Sequence, residues 1–462
     1  MKRSMASVAV LSLSGLVWFG GSRHAVERGA VTRPLPRQGA VTGASTAGTP
    51  LAWGVNNDGQ LGIGSLAYSN VPLTVHNLTH VVAVAGAGEY SLALKQDGTV
   101  WAWGWNHDGQ LGTTTTTCSI PNAYKCITDP VQTAIRDVVA IAAGVNTSLA
   151  LKRDGTVWAW GGWGGDYIEN NVLFDSCDED TGGCQNVADT PIRLRALTGV
   201  REIATDGYVA LALRRDGTVW AWGMGASGDY IFGTGGQGGC SCHYGPDFAL
   251  QVQGLSDIVS VSFFGDQGLA VRRDGTVWAW GKVAIGADPR TYVAGVHLHP
   301  SPVLGLSNVA SVLVDLSTPN PDYSVDNSGA LAVKRDGSVW AWESRQDNTG
   351  KIVNVAPHRI PGLPAMVSLA GSYGHDLALG RDGSVWSWGD NDAGQLGRGT
   401  SGRPNPTPRR ISTLTGIVAI GAGDRFSLAV RGTPTPPHGP AQHQVTFLGR
   451  YSSPFLSPED RT

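Results

Sequence analysis

Short apolar segments with a two-residue period recur along the middle of the chain. Ser91–Leu94 precedes an Asp-Gly pair, and Thr99–Trp103 (Thr-Val-Trp-Ala-Trp) follows it. Two such segments joined by Asp-Gly predict a β-hairpin with a type I′ turn, because both central residues of that turn take positive φ. In the second strand the tryptophans lie on one face, and the valine and alanine lie on the other. Both faces are apolar, which predicts a sheet packed between two similar sheets, large side chains against small ones.

This hairpin belongs to an internal repeat. The phrase DGTVWAWG, or a close variant, begins at Asp97, Asp154, Asp216, Asp274, Asp336 and Asp382. The second tryptophans, at positions 53, 103, 160, 222, 280, 342 and 388, lie 46 to 62 residues apart and number the units one to seven below. Further strands are predicted at Val81–Ala85, Val138–Ala142 and Ile417–Ile420. Small sheets repeated at this spacing predict an all-β fold, a seven-bladed β-propeller.

The two ends of the repeat region complement each other. A Leu-Ala-Leu-like strand occurs seven times, and the last copy, Leu428–Val430, is not followed by a tryptophan strand. Gly48–Gly54 matches Gly98–Gly104 position by position and has no such strand before it. We therefore expect Thr49–Gly54 to pair with Leu428–Val430 and to close the ring of one domain, residues 48–430, which removes its free edges.

The segments outside the repeats differ in composition. Lys2 and Arg3 precede the apolar run Met5–Gly21, so residues 1–21 are interpreted as a secretory signal peptide or an uncleaved anchor. Residues 22–47 are expected to form a flexible linker, and the Pro-rich residues 431–462 a disordered tail. This start predicts a secreted or periplasmic protein with no membrane span beyond it.

Composition excludes one class of partner. The formal net charge is −3, and 15% of the 462 residues are charged, against about 25% in an ordinary soluble domain. A chain so poor in Lys and Arg is not expected to bind nucleic acid, which requires basic patches over the phosphates. The 64 glycines argue against long helices.

The repeated phrase and a second motif carry a family resemblance. N-x-x-G-Q-L-G stands at Asn56–Gly62, Asn106–Gly112 and Asn391–Gly397. Together with DGTVWAWG, it resembles the repeat of the regulator of chromosome condensation family, over about 380 residues. The resemblance implies the seven-bladed propeller and offers two rival functions. One is nucleotide exchange on a small GTPase in the nucleus, and the other is inhibition of β-lactamase by a secreted bacterial propeller. The secretory start favours the second setting, and no functional residue carries over from either.

The six cysteines fall in three close pairs in the loops after the tryptophan strands of units two, three and four. They are Cys118 with Cys126, Cys177 with Cys184, and Cys240 with Cys242. An even count in loops of an exported chain predicts disulfides. A bond between Cys240 and Cys242 would be strained, so that pair is left open.

The surrounding sequence argues against three other candidate sites: a dinucleotide site, a calcium site and a histidine metal site. Gly223–Gly228 matches G-x-G-x-x-G, but no helix follows it. The acidic residues around Asp178 lack the spacing of an EF-hand, which favours a solvated loop over a calcium site. His297 and His299 have no further ligands nearby and are interpreted as surface residues. We predict no catalytic residue, cofactor or metal, although an extracellular enzyme acting on polysaccharide or peptide remains an alternative.

The loops after the tryptophan strands are the expected binding surface, because they emerge on one face of a propeller. They depart from the motif in units three to five, at Gly161–Thr190, Gly223–Asp247 and Gly281–His299, and unit two adds Thr113–Pro130. These insertions carry aromatic residues outside the repeat's core positions: Trp105, Trp163, Tyr167, Phe174, Tyr230, Phe232, Tyr244 and Phe248. These aromatic residues are expected to act as binding hot spots. The alternative is that they pack the insertions against the rim of the propeller. The leading hypothesis is a monomeric, non-catalytic scaffold for a protein or cell-envelope partner, and an exchange-factor-like regulator is a further alternative.

Overall fold

The computed structural model describes residues 47–114, 125–162, 187–223, 249–265, 267–281, 297–315, 328–346, 352–372 and 374–432. Over these residues the chain forms 28 β-strands and no helix. Within the same ranges, no helix is long and apolar enough to cross a membrane. The predicted linker (22–47, apart from Ala47), the signal (1–21) and all but the first two residues of the tail (431–462) lie outside the described residues.

The strands form seven four-stranded antiparallel sets, one for each tryptophan unit. Unit one contains β27 (Ile417–Gly423), β28 (Phe426–Gly432), β1 (Gly48–Gly54) and β2 (Ser69–Thr74). Unit two contains β3 (Val81–Ala87), β4 (Tyr90–Lys95), β5 (Val100–Trp105) and β6 (Cys126–Gln132). Unit three contains β7 (Val138–Ala143), β8 (Thr147–Lys152), β9 (Val157–Gly162) and β10 (Val187–Leu194).

The remaining four units repeat this order. Unit four contains β11 (Val200–Thr205), β12 (Val209–Arg214), β13 (Val219–Gly223) and β14 (Leu250–Gln251). Unit five contains β15 (Ile258–Phe264), β16 (Gln267–Arg272), β17 (Val277–Gly281) and β18 (His297–Pro302). Unit six contains β19 (Val309–Asp315), β20 (Ser328–Lys334), β21 (Val339–Gln346) and β22 (Ile352–Arg359), and unit seven contains β23 (Met366–Ser372), β24 (His375–Gly380), β25 (Val385–Asn391) and β26 (Gly402–Arg410).

Consecutive units pack against each other through their first two strands. The first strand of each unit contacts the first strand of the next, from β3 and β7 through to β23 and β27, and β27 in turn contacts β3. The core lies between the sheets, where the second tryptophans of the first six units are the largest side chains that are fully buried: Trp53, Trp103, Trp160, Trp222, Trp280 and Trp342. The predicted packing of apolar faces between neighbouring sheets is therefore present.

Strand β1 pairs with β28 as the sequence predicts. The antiparallel register runs from Gly48 opposite Gly432 to Gly54 opposite Phe426 without interruption. A single further pair, Gly48 with Val81, links β1 to β3 of unit two. In β1, Leu51 is 4% exposed and Trp53 is fully buried, so the strand contributes core side chains as well as backbone hydrogen bonds to unit one.

The Asp-Gly hairpins are present in six units, but their predicted turn type is wrong. In unit two the amide of Gly98 donates to the carbonyl of Lys95 at 3.0 Å, and only Gly98 has positive φ, at 80°. These features define a type I turn followed by a glycine bulge rather than a type I′ turn. Consequently the two residues before the glycine, Gln96 and Asp97, occupy the exposed corner of the turn.

The remaining residues of the hairpin phrase form a chain of side-chain contacts. Asp154 Oδ1 accepts hydrogen bonds from the backbone amide and the hydroxyl of Thr156, at 2.9 and 2.7 Å. The same hydroxyl lies 3.2 Å from Trp158 Nε1, which donates to it, and the Lys152 ammonium stacks 4.6 Å from the centre of that indole. Such cation–π contacts stabilise by about 0.5–1 kcal/mol at exposed sites. The first tryptophan of each pair is thus half-buried at the rim of the core, and only the second is a fully buried core residue.

Deletion of residues 48–54 tests whether β1 closes the ring. The variant loses Trp53 and leaves β28 as an exposed strand edge, so we expect aggregation or loss of a single cooperative unfolding transition by calorimetry. Replacement of the adjacent exposed residues Leu66 and Tyr68 by Ser is the control, and it should retain the cooperative transition. A truncated chain that melts like the full chain would show that β1 does not close the fold.

Candidate functional site

The antiparallel order of each unit defines two faces of the propeller. The loops after the tryptophan strands and the turns between the first two strands emerge at one end of the sheets, called the loop face here. The Asp-Gly turns and the linkers between units emerge at the other end, called the hairpin face. Contacts join neighbouring units at the loop face; for example, Asp424 N donates to Gly88 O at 3.1 Å.

The N-x-x-G-Q-L-G motif folds into a compact loop held by its own side chains. Asn56 Oδ1 accepts from the amide of Leu61 at 2.8 Å, and Gln60 Oε1 accepts from the amide of Asp58 at 2.9 Å. The same bonds recur in the copies at Asn106–Gly112 and Asn391–Gly397, at 2.9 to 3.1 Å. The three motif leucines are fully buried, so the repeated residues of the motif satisfy the loop's own backbone and fill the core.

Each motif loop is fastened to the next unit by one backbone carbonyl, an arrangement called the latch here. The carbonyl of Gln60 accepts from Trp103 Nε1 and from the hydroxyl of Ser91, each at 2.8 Å. In the second copy, Gln110 O accepts from the corresponding tryptophan and serine of unit three, Trp160 at 2.9 Å and Ser148 at 2.7 Å.

The third latch joins unit seven to unit one. Gln395 O accepts from Trp53 Nε1 at 2.8 Å and from Ser427 Oγ at 2.9 Å. The indole donor here comes from the N-terminal strand, and the hydroxyl comes from the C-terminal strand. This latch therefore holds both halves of the composite unit against its neighbour.

The last glycine of the motif is required by the same contact. A Cβ at Gly62 would lie 2.7 Å from Trp103 Nε1, and one at Gly397 would lie 2.6 Å from Trp53 Nε1. Both glycines also have positive φ, near 67°. The loop thus rests directly on the indole that it binds, and any larger residue would separate the carbonyl from its donors.

Units four to seven lack the serine of the latch. The position of Ser91 is occupied by Ala210, Gly268, Ala330 and Asp376, and the loop preceding each of these units lacks the motif. Trp222 Nε1 in unit four is buried and has no hydrogen-bond partner in the described part of the chain. In this part of the fold the repeat retains its sheets and core tryptophans but has lost the side chain that fastens the motif loop.

Charged pairs at the junctions differ from one latch to the next. At the junction of units one and two, Asp58 is 7% exposed and faces Glu89 of the β3–β4 turn. Burial, and then the Glu89 carboxylate, raise the pKa of Asp58 from 3.8 to about 7. At the junction of units seven and one, Asp392 instead forms an ion pair with Arg425. A carboxylate thus faces a carboxylate at one junction, and a carboxylate faces a guanidinium at the other.

Among the predicted aromatic site residues, the structure describes Trp105. It lies half-buried at the end of β5, its amide donates to Glu89 O at 2.9 Å, and its ring centre lies 5.8 Å from that of His107. The other seven lie outside the described residues, so they are not shown to come together: Trp163, Tyr167, Phe174, Tyr230, Phe232, Tyr244 and Phe248.

Of the six cysteines, Cys126 is the one within the described residues. The expectation that every cysteine lies in a loop is wrong for this residue, because Cys126 begins β6, pairs with Trp105 and is fully buried. It joins the sheet because Trp105 extends the tryptophan strand by one residue pair. Its predicted partner, Cys118, and the other four cysteines (Cys177, Cys184, Cys240 and Cys242) lie outside the described residues, so the disulfides stay predictions.

Sequence reasoning missed two features of the loop face. The latch leaves a signal in the aligned repeats, because serine precedes the Leu-Ala-Leu strand where a motif loop comes before it. The second feature is an exposed apolar group on the motif loop and outer strand of unit one: Leu66, Tyr68, Val71 and Leu73, of which Tyr68 is 69% exposed. In the described ranges no group of three or more His, Cys, Asp or Glu side chains is placed to hold a metal ion, and His299 is exposed.

We predict that a serine at the latch position stabilises the fold where a motif loop precedes the unit and destabilises it where no motif loop does. Ser91→Ala removes one buried hydrogen bond and should lower the free energy of unfolding by about 1–2 kcal/mol. Ala210→Ser adds a buried hydroxyl where no motif carbonyl precedes, and should also destabilise by about 1–2 kcal/mol. Urea unfolding measures both changes, and a stabilising Ala210→Ser would contradict the assignment.

The Asp58–Glu89 pair predicts a pH dependence of stability. Because the folded-state pKa of Asp58 is raised, its contribution is fully present below pH 3.8 and is lost as the pH rises through about 7. Glu89→Gln lowers that pKa and should reduce the loss of Tm between pH 4 and 8. Asp58→Asn should be more stable than the wild type at pH 8. Identical pH profiles for all three proteins would contradict this interpretation.

Comparisons with known proteins agree with this architecture. Two family models described as the Regulator of chromosome condensation (RCC1) repeat match the chain. One matches residues 48–94, 97–151 and 382–430, and the other matches 81–110, 138–166 and 366–395. The matches cover the three units that carry the motif loops and the first three strands of unit three.

Several relatives share the repeat region. The E3 ubiquitin-protein ligase HERC2 of Mus musculus is 27% identical over 400 residues, 84% of this chain but only 8% of the ligase. The ultraviolet-B receptor UVR8 of Arabidopsis thaliana is 26% identical over 304 residues, 63% of this chain and 62% of the receptor. The chain therefore spans a small part of the ligase and most of the receptor.

Solved structures show the same fold. Prp20p from Saccharomyces cerevisiae, described with its binding properties to Gsp1p and histones, superimposes with a TM-score of 0.66 at 19% identity, covering 87% of this chain and 94% of that chain. Human WBSCR16 superimposes with a TM-score of 0.64 at 19% identity, covering 83% and 100%. The family-model matches therefore identify residues 48–166 and 366–430 as regulator of chromosome condensation repeats, and the solved structures share the propeller fold.

Proposed function

We propose that the protein is a non-catalytic binding scaffold that recognises a protein or cell-envelope partner through the loop face of units two to five. The observation that carries this proposal is the uneven distribution of the latch. Motif loops are fastened across the junctions one–two, two–three and seven–one. In units four to seven the serine that receives the latch is replaced, although the tryptophan is kept.

Where the latch serine is replaced, the preceding loop no longer has to place a carbonyl against the next unit. Where Ser91 and Trp103 bind the Gln60 carbonyl, the length and shape of the preceding loop are dictated by the fold. Where Ala210 stands at the serine position, the preceding loop can change in length without leaving a buried hydroxyl unpaired. Loops on a rigid scaffold that are free to vary are the usual location of binding residues.

The chemistry of the insertions supports recognition of a macromolecule. They contain large aromatic side chains, which dominate binding energy when they are held rigid. The predicted disulfide between Cys118 and Cys126 would brace the insertion of unit two, because Cys126 is anchored in β6 beside Trp105. A surface of this type fits an extended contact with a protein better than a closed pocket for a small molecule.

The proposed setting is secretion or export to the periplasm, based on the basic and apolar N-terminal sequence. An exchange-factor-like role is the alternative, and it requires an intracellular chain. Cell fractionation separates the two: the mature protein in the culture supernatant or periplasm supports the scaffold, and full-length protein confined to the cytosol contradicts it.

Replacing Trp163, Tyr230 and Tyr244 together by Ala tests the position of the binding surface. We expect the triple variant to lose capture of the envelope or extracellular partner that the wild-type chain captures, with a nearly unchanged Tm. The matched control is Tyr68→Ala, an exposed aromatic of the same face on a latched loop, which should keep capture. A large fall in Tm would identify the three aromatics as internal packing, and loss of capture in the control would place the site on unit one.

A further inference from the structure

One position of the hairpin turn is arginine in five consecutive units. It lies directly before the Asp of the Asp-Gly pair, and unit two has Gln96 there instead. The five residues, called the arginine row here, are Arg153, Arg215, Arg273, Arg335 and Arg381, and all are exposed. They lie on the hairpin face, opposite the loops of the proposed function.

The fold does not require arginine at this position. The backbone amide of the residue is used, since Arg153 N donates to Asp137 O at 3.0 Å and Gln96 N donates to His80 O at 2.9 Å. Any residue except proline can make that bond. Glutamine in unit two makes it as well, so the repeated choice of arginine needs another explanation.

The neighbouring positions of the turn do have structural roles. The cation before the row stacks on an indole: Arg214 lies 4.1 Å from the ring centre of Trp220, and Lys334 lies 3.9 Å from that of Trp340. The aspartate after the row accepts the hydroxyl and amide of Thr or Ser in all six turns. The arginine is therefore the one charged side chain of the turn that the repeat leaves available.

Two side chains of the row reach the turn of the preceding unit. Arg335 Nη2 donates to the backbone carbonyl of Arg273 at 2.7 Å, and Arg215 Nη2 lies 3.5 Å from the carbonyl of Arg153. Each contact uses one of the five N–H groups of a guanidinium. The other N–H groups of these two guanidinium groups stay available for a partner, because both residues are exposed.

The surrounding charges restrict what can dock. In each turn of units three to six, two cations accompany one aspartate. The hydroxyl bonds from Thr or Ser lower the pKa values of these aspartates, so they stay ionised. A dense polyanion, such as nucleic acid or an anionic membrane, would place negative charge next to every turn aspartate and be repelled by it. Carboxylates that are spaced apart can contact the arginines without lying next to the aspartates.

We propose that the arginine row is a second docking surface, for a protein whose surface presents separated carboxylates. The planar guanidinium fork matches a carboxylate in a two-bond geometry, which lysine cannot provide. The occurrence of arginine, and never lysine, at all five positions agrees with this use. Because an aspartate follows each arginine, the partner is held in the alignment that places its carboxylates on the arginines and away from the aspartates.

The test uses a fluorescent peptide with glutamate at every third position, separated by Gly and Ser, and a matched peptide with glutamine. We expect the full chain to bind the glutamate peptide only, as measured by anisotropy. Arg153→Gln, Arg273→Gln and Arg381→Gln, combined, should weaken binding by roughly threefold to a hundredfold, since each exposed pair contributes about 0.2–1 kcal/mol. None of these three side chains donates a described hydrogen bond, so Tm should be unchanged.

The matched control changes the same number of charges away from the row. Lys125→Gln, Arg409→Gln and Arg425→Gln alter exposed cations on the loop face and outer strands, and should retain wild-type affinity. Equal weakening in the two triple variants would overturn the proposal, because it would show an effect of net charge alone. Absence of binding to the glutamate peptide would also overturn it, as would tighter row-dependent binding of duplex DNA or phosphatidylserine vesicles.

Discussion

The backbone carbonyl of a motif glutamine, held by an indole N–H and a serine hydroxyl of the next unit, is the contact on which the loop face depends. At Gln60, Gln110 and Gln395 both donors lie within 2.9 Å of one oxygen. The contact uses the same tryptophans that form the core between the sheets. Core packing and the position of the loops are consequently determined by the same side chains, and a unit can lose the loop without losing the core.

This separation explains how one repeat can serve two purposes. Units one, two and seven keep the motif, the glycine against the indole, and the serine receptor in the following unit. Units four to six keep the hairpin phrase and the buried tryptophan but have Ala, Gly and Ala at the serine position. The sheets are the constant part of the molecule, and the loops over units three to five are the part that varies. On the hairpin face the turn is constant, and it uses the backbone amide of the arginine without requiring an arginine side chain.

The sequence predicts the sheets well because their signals are local and repeated. Alternation of residues places β3, β7 and β27, and the missing strand at each end predicts the pairing of β1 with β28. The turn type was beyond this reasoning, since Asp-Gly occurs in both I′ turns and glycine bulges, and only the φ of Asp97 separates them. The latch was harder to foresee, because Trp53 and Gln395 are 342 residues apart and the acceptor is a backbone atom. Side-chain roles that depend on contacts between units leave only an indirect trace in one sequence.

Amide hydrogen exchange in a latch variant tests most directly whether each motif loop is held by the unit that follows it. Leu61, Leu111 and Leu396 donate their amides to the motif asparagines, and they report on the three loops separately. In Ser91→Ala, the amide of Leu61 should exchange faster than in the wild type, and the amides of Leu111 and Leu396 should keep their rates. Equal acceleration at all three amides, or none at Leu61, would show that the loops are not held one by one through the latch.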